Sequence, residues 1–208
     1  MVVGKRHYIG LFLLSAAMLT LELSLTRVLS VALWYHFGFL VISTALLGFG
    51  AAGVTLAVWK DLRETYAIDR TLAVLSVLFG ITTVASFWLM QRIPFDPFSL
   101  LADHWQFAFM PAYYLAIAAP FYFGGLAVGL LLSRATSKVN RLYAVDLVGA
   151  GLGCALIAAI IPAFGGSGSV LVAATFGLLA AAVFGIAEAR FTSTIAVLLG
   201  IAALALSL

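Results

Sequence analysis

Long apolar runs, each about as long as a bilayer-spanning helix, alternate with short polar clusters along the whole chain. The runs cover 8–33, 36–59, 71–91, 109–132, 142–163, 169–187 and 192–208. About 20 apolar residues suffice for a helical span. A backbone in lipid must satisfy its own hydrogen bonds, which a helix does. The pattern therefore predicts an all-α fold, a polytopic transmembrane helix bundle of about seven spans. It forms one domain over 1–208 with no soluble domain. The last run stops at Leu208 with no polar flank, so the sequence reads as cut within a helix of a longer protein.

The polar clusters between the runs orient the bundle. Lys5 and Arg6, then Lys60, Arg63 and Arg70, then Arg134, Lys138 and Arg141, then Arg190 all fall on one side. The opposite loops hold Arg92 alone. Basic loops stay cytoplasmic, which predicts an integral protein of a bacterial cytoplasmic membrane with its N-terminus inside. Trp34, Tyr35, Trp88, Trp105 and Tyr113 then belong to the outer interface, and Tyr8, Trp59 and Tyr143 to the inner one. In the outer loop 92–107, Asp96-Pro97 is a good helix start. Phe98, Leu101 and Trp105 follow at helical spacing, as in a short helix lying on the outer leaflet.

Small residues recur within the runs at the spacing that lets helices approach. Gly48 and Ala52 lie in the second span, Gly125 and Gly129 in the fourth, and Gly149 and Gly153 in the fifth. At 1.5 Å rise per residue, all fall roughly 5–17 Å from the cytoplasmic edge. Their shared depth predicts that spans two, four and five pack together in the inner leaflet.

Composition agrees with this picture and narrows the function. The chain is 64% hydrophobic and 9% charged, where a soluble domain carries roughly a quarter charged residues. The net charge of +3 is scattered over loops, so nucleic acid is not an expected partner. Cys154 is the single cysteine, which excludes an internal disulfide and predicts a buried core thiol. His7 is placed on the inner side and His36 and His104 on the outer, so no metal or haem site is expected. The stretch from Leu142 to Gly153 imitates a dinucleotide-binding turn. However, Cys154 stands where the third glycine belongs, and no acidic residue follows until Glu188. The run Gly165-Gly-Ser-Gly-Ser169 lacks the lysine of a phosphate loop and reads as a tight outer turn. No cofactor and no catalytic set is expected.

Three ionisable residues remain inside apolar runs: Glu22, Arg27 and Asp146. Each costs a few kcal/mol in hydrocarbon on insertion scales. Glu22 lies near mid-bilayer, roughly 20 Å from the inner edge. Arg27 lies near the outer edge, about 140° around the helix from Glu22, and can extend to the interface. Thr44 and Tyr122 come to the depth of Glu22, beside Pro120, and are its expected hydrogen-bond partners. A polar spot beside a broken helix is where many transporters place their site. Helix–helix hydrogen bonding with no ligand is the other reading of Glu22. Asp146 lies about one turn inside the cytoplasmic edge, with Arg141, Arg134 and Lys138 as the expected ion-pair partners.

The run Leu21-Glu22-Leu-Ser-Leu-Thr-Arg27-Val-Leu-Ser30, followed by Ser43-Thr-Ala-Leu-Leu-Gly-Phe-Gly-Ala-Ala-Gly53, resembles the N-terminal membrane domain of spermidine synthase-like membrane proteins. The run Leu142-Tyr-Ala-Val-Asp146-Leu-Val-Gly149-Ala-Gly-Leu-Gly153 is similar to the later glycine-rich helix of the same family. The resemblance implies a multi-span domain usually followed by a cytoplasmic aminopropyltransferase-like Rossmann domain that binds an S-adenosyl nucleoside. No stretch of these 208 residues reads as that domain, so any such enzyme activity would lie beyond Leu208. Glu22, Arg27, Asp146 and the glycines carry over, without a role attached.

The expected function is a membrane module of such a protein, either an anchor or a binding or conduit domain for a small cationic ligand such as a polyamine. The alternative is a non-catalytic structural subunit of a larger membrane assembly, with other membrane subunits as partners. An integral enzyme ranks lowest, because no catalytic set is visible.

Overall fold

A computed structural model describes residues 3–32, 38–59, 67–93 and 106–186. Helix α1 is Lys5–Ala32, α2 is Gly38–Val58, α3 is Ile68–Arg92, α4 is Gln106–Arg134 and α5 is Val139–Gly185. A single 3₁₀ turn, Thr136–Lys138, leads into α5. All five helices include stretches long and apolar enough to cross a membrane. The expected span at 192–208 and the expected interfacial helix after Asp96 lie outside the described residues.

The expected spans at 142–163 and 169–187 are the two arms of α5. Gly165 separates them with φ 70° and ψ −175°, a left-handed backbone that glycine adopts without steric cost. The first arm climbs alongside α1: Gly149 meets Phe12, Gly153 meets Ala16, and Gly166, just past the bend, meets Val28. The second arm descends again, so that Phe184 reaches Gly10. The expected glycine-rich turn is thus compressed into one residue.

Several hydroxyl side chains of these helices are satisfied within their own turns. Ser24, Thr26, Thr44, Thr83 and Thr175 each bond the carbonyl four residues earlier. This is the usual way a hydroxyl is satisfied without water.

Glycine sets the packing, but not as one three-helix contact. Gly48, Gly125 and Gly129 belong to a seam between α2 and α4. A β-carbon at Gly48 would stand 2.7 Å from the Ala118 carbonyl, and those at Gly125 and Gly129 would crowd Phe49 and Leu56. Gly149 and Gly153 instead face α1, where a β-carbon would meet the backbone of Phe12 and Ala16. The expected joint contact of spans two, four and five is therefore two separate pairs, α2–α4 and α1–α5. An expectation of equal depth says nothing about azimuth, which decides the partner.

Helix α3 closes the other side of the bundle. Its Gly80 takes Leu178 of α5, and its Phe79, fully buried, fills the space left by Gly124 of α4 and Gly177 of α5. The exposed apolar surface of the bundle includes Leu46, Leu47, Val54, Leu147 and Val148. Cys154 also faces outward, contrary to the buried thiol expected: it follows Gly153 by one position, which turns it away from α1. Tyr113 is buried in the bundle, while Trp59, Trp88 and Tyr143 are exposed. Trp88 carries the Arg92 guanidinium 4.6 Å from its ring centre.

Candidate functional site: a lateral cleft with one carboxylate

Helices α1 and α2 touch near the end of the bundle where α1 finishes and α2 begins. There a β-carbon at Gly38 would lie 3.1 Å from the Ser30 hydroxyl and 3.3 Å from the Thr26 methyl. Toward the opposite end they part, and a cleft of about 440 Å³ opens between the α1–α5 pair and the α2–α4 pair. Ser15, Met18 and Leu19 of α1 form its floor. Phe49, Gly53 and Leu56 of α2 and Gly125, Val128 and Gly129 of α4 form one wall, and Asp146, Leu147 and Ala150 of α5 the other. The exposed flanks Gly53 and Leu147 place its mouth on the lateral surface of the bundle.

Asp146 is held by Ser15, not by the basic residues expected of it. The Ser15 hydroxyl lies against Asp146 Oδ1 and 2.8 Å from the carbonyl oxygen of Leu11. Ser15 is 1% exposed. One hydroxyl carries one proton, and here it stands between two acceptors. The Asp146 carboxylate therefore receives at most one hydrogen bond from Ser15, out of about four lone-pair positions. No other donor reaches it among the described residues. Relative to the described residues, the rest of its accepting capacity is available to whatever enters the cleft. Arg141 is exposed, and no ion pair joins Asp146 to it, to Arg134 or to Lys138. Facing inward on the first arm outweighs sequence proximity to the loop.

Glu22 stands on the same stripe of α1, one turn beyond Met18 and Leu19 and one turn short of Thr26. It is half-buried. The partners expected for it are engaged elsewhere. Thr44 donates within its own helix, to Leu40 and Val41 at 2.8 and 3.0 Å. The Tyr122 hydroxyl pairs with Thr55 Oγ1 at 3.1 Å. Thr55 donates to Ala51, so Tyr122 is the donor to Thr55. Among the described residues no hydrogen bond reaches the Glu22 carboxylate. The expected Glu22–Thr44–Tyr122 cluster does not form. Equal depth again hid the direction in which each side chain leaves its helix.

Arg27 is exposed and borders a separate recess of about 380 Å³ at the bend of α5, with Val28, Val31, Ala32, Ile161, Gly166 and Ser167. Twelve positions on α1 separate it from Ser15, roughly 18 Å of rise. Arg27 and Asp146 therefore act at different depths.

A third polar group was not legible in the sequence. Asp69, in the first turn of α3, accepts from the Arg6 guanidinium and from His7 Nε2 at 2.7 Å. The Gly4 N–H donates to His7 Nδ1 at 3.0 Å. An amide N–H can only donate, so Nδ1 is the unprotonated nitrogen and Nε2 carries the proton given to Asp69. His7 and Asp69 are 1% and 8% exposed. The available signal was an acid in the first turn of one helix and a basic pair in the first turn of another on the same side. Together with Lys138 Nζ, 3.5 Å from the Val3 carbonyl, this cluster gathers the starts of α1, α3 and α5 at one end of the bundle. Lys5, Arg6, Arg70, Lys138 and Arg141 lie there. No protein-family model, curated protein or solved structure matches the chain.

Proposed function

We propose that this chain is a membrane-embedded binding module, and that its lateral cleft takes a small molecule with a cationic or N–H-rich group through Asp146. The observation that carries the reading is the Ser15–Asp146 contact at the cleft wall. A carboxylate is fixed by a buried hydroxyl, keeps most of its accepting capacity and faces a cavity. A purely structural acid would spend its lone pairs on neighbouring helices. In the low dielectric of the inner leaflet, a cation near this carboxylate gains far more than it would in water. The resemblance to spermidine synthase-like membrane proteins supports a cationic ligand and a place beside a soluble enzyme domain. The positive end of the bundle supports a cytoplasmic N-terminus.

Ligand-dependent melting of the purified chain in nanodiscs tests the reading. A primary amine at about 100 times its Kd should stabilise the wild type by about 2.7 kcal/mol. Asp146→Asn should fold, because asparagine still accepts from Ser15, and should lose the amine-dependent shift. An equal shift in wild type and Asp146→Asn would remove Asp146 from the site.

A further inference from the structure

Resting on that reading, we infer that the ligand is an amphiphile with a single cationic head and an apolar chain, which enters the cleft sideways from the lipid. The shape of the site argues against a hydrophilic amine. Of the twelve residues bordering the cleft, only Ser15 and Asp146 carry polar side chains. The rest are aliphatic, aromatic, Met or Gly. A molecule with several ammonium groups would find one carboxylate and would leave its other charges against Phe49, Leu56 and Val128, where an unpaired charge is heavily penalised. A molecule with one ammonium places it at Asp146 and lays its chain along Met18, Leu19 and Phe49. From Phe49 to Leu56 the α2 wall runs about 10 Å along the helix axis, enough for a chain segment beside the head.

The route of entry follows from the glycines. Gly53 lies at the mouth, and among the described residues a β-carbon there would meet nothing within 4 Å. Among the described residues the mouth is therefore open at backbone level. Its other flank, Leu147, is 53% exposed on the lateral surface of the bundle. Substituting Gly53 fills space that no packed atom occupies, so it obstructs the cleft without wedging helices apart. Gly151 provides a matched control. It too has nothing within 4 Å of a β-carbon among the described residues, and it is exposed on α5 without being one of the residues that border the cleft.

The experiment is saturable binding of dodecylamine to the full chain in nanodiscs, with unbound lipid partitioning subtracted using empty discs. Wild type and Gly151→Phe should bind equally. Gly53→Phe should bind at least tenfold more weakly at an unchanged melting temperature, and Asp146→Asn should show no saturable binding. Dodecanol, with the same chain and no ammonium, should compete at least tenfold less well than dodecylamine. Spermidine should not compete. Spermidine displacing dodecylamine as well as dodecylamine itself does, with Gly53→Phe binding normally, would overturn the amphiphile and leave the cationic site standing. If no amine of either kind binds saturably, the amphiphile and the cationic reading both fall.

Discussion

At the scale of single residues, the polar groups of this bundle divide by how completely the protein satisfies them. Asp69 and His7 are fully engaged. Gly4 fixes the His7 tautomer, and Asp69 receives both His7 and Arg6. That pattern describes a structural latch joining the starts of α1 and α3. Removing Asp69 leaves the buried His7 Nε2–H without an acceptor, an omission that costs about 1–3 kcal/mol. Asp69→Ala should therefore lower the melting temperature by several degrees, whereas the same change at exposed Lys5 should not. Equal melting of the two variants would show that the latch contributes nothing. Asp146 and Glu22 are the opposite case, since neither carboxylate is saturated by described neighbours. The sequence marked both as unusual, because an acid in an apolar run is visible to anyone counting charges. It could not reveal that Ser15 would hold Asp146: a serine in a membrane helix can always bond its own carbonyl, and this one touches Leu11 as well.

Between helices, packing turns on which glycines touch backbone. A β-carbon at Gly149 would lie 2.5 Å from the Phe12 carbonyl oxygen and 3.0 Å from its Cα. Backbone cannot rotate away as a side chain can, so α1 and the first arm of α5 would have to separate. Overpacking of this kind costs about 1–3 kcal/mol. Gly149→Leu should reduce the folded yield in detergent or the melting temperature accordingly, and Gly151→Leu, facing open space, should not. Two variants with the same loss would mean that helix propensity, not contact, is being measured. The spacing of small residues made it legible that Gly48, Gly125, Gly129, Gly149 and Gly153 lie where helices can approach. The choice of partner was not legible. Gly149 and Gly153 choose α1 because the first arm of α5 runs alongside it, and that neighbour relation is set by the fold-back at Gly165. A glycine-rich run reads equally well as any outer turn.

For the whole molecule, hydropathy alone was enough to define an all-helical chain with helices long and apolar enough to cross a membrane. The order of those helices around the bundle depends on azimuth, which the near-uniform apolarity of each run conceals. Five described helices, one folded back on itself, give a bundle whose basic residues concentrate at one end. A cytoplasmic position for that end is testable in a Cys154→Ser background. Ser137→Cys should resist an impermeant thiol reagent in intact cells and Ser99→Cys should react; the reverse pattern would invert the orientation.

The same arrangement leaves a cleft on the side where the α1–α5 pair and the α2–α4 pair diverge away from Gly38 and Thr26. This cleft is the proposed binding site. Ala150 borders it, one turn above Asp146 on the same face of α5. The most direct measurement is the alkylation rate of the thiol introduced by Ala150→Cys, in the same Cys154→Ser background, with and without saturating dodecylamine. Occupation of the cleft predicts at least tenfold protection, abolished by Asp146→Asn. An unchanged rate under conditions where the amine still raises the melting temperature would place the ligand elsewhere and contradict the account.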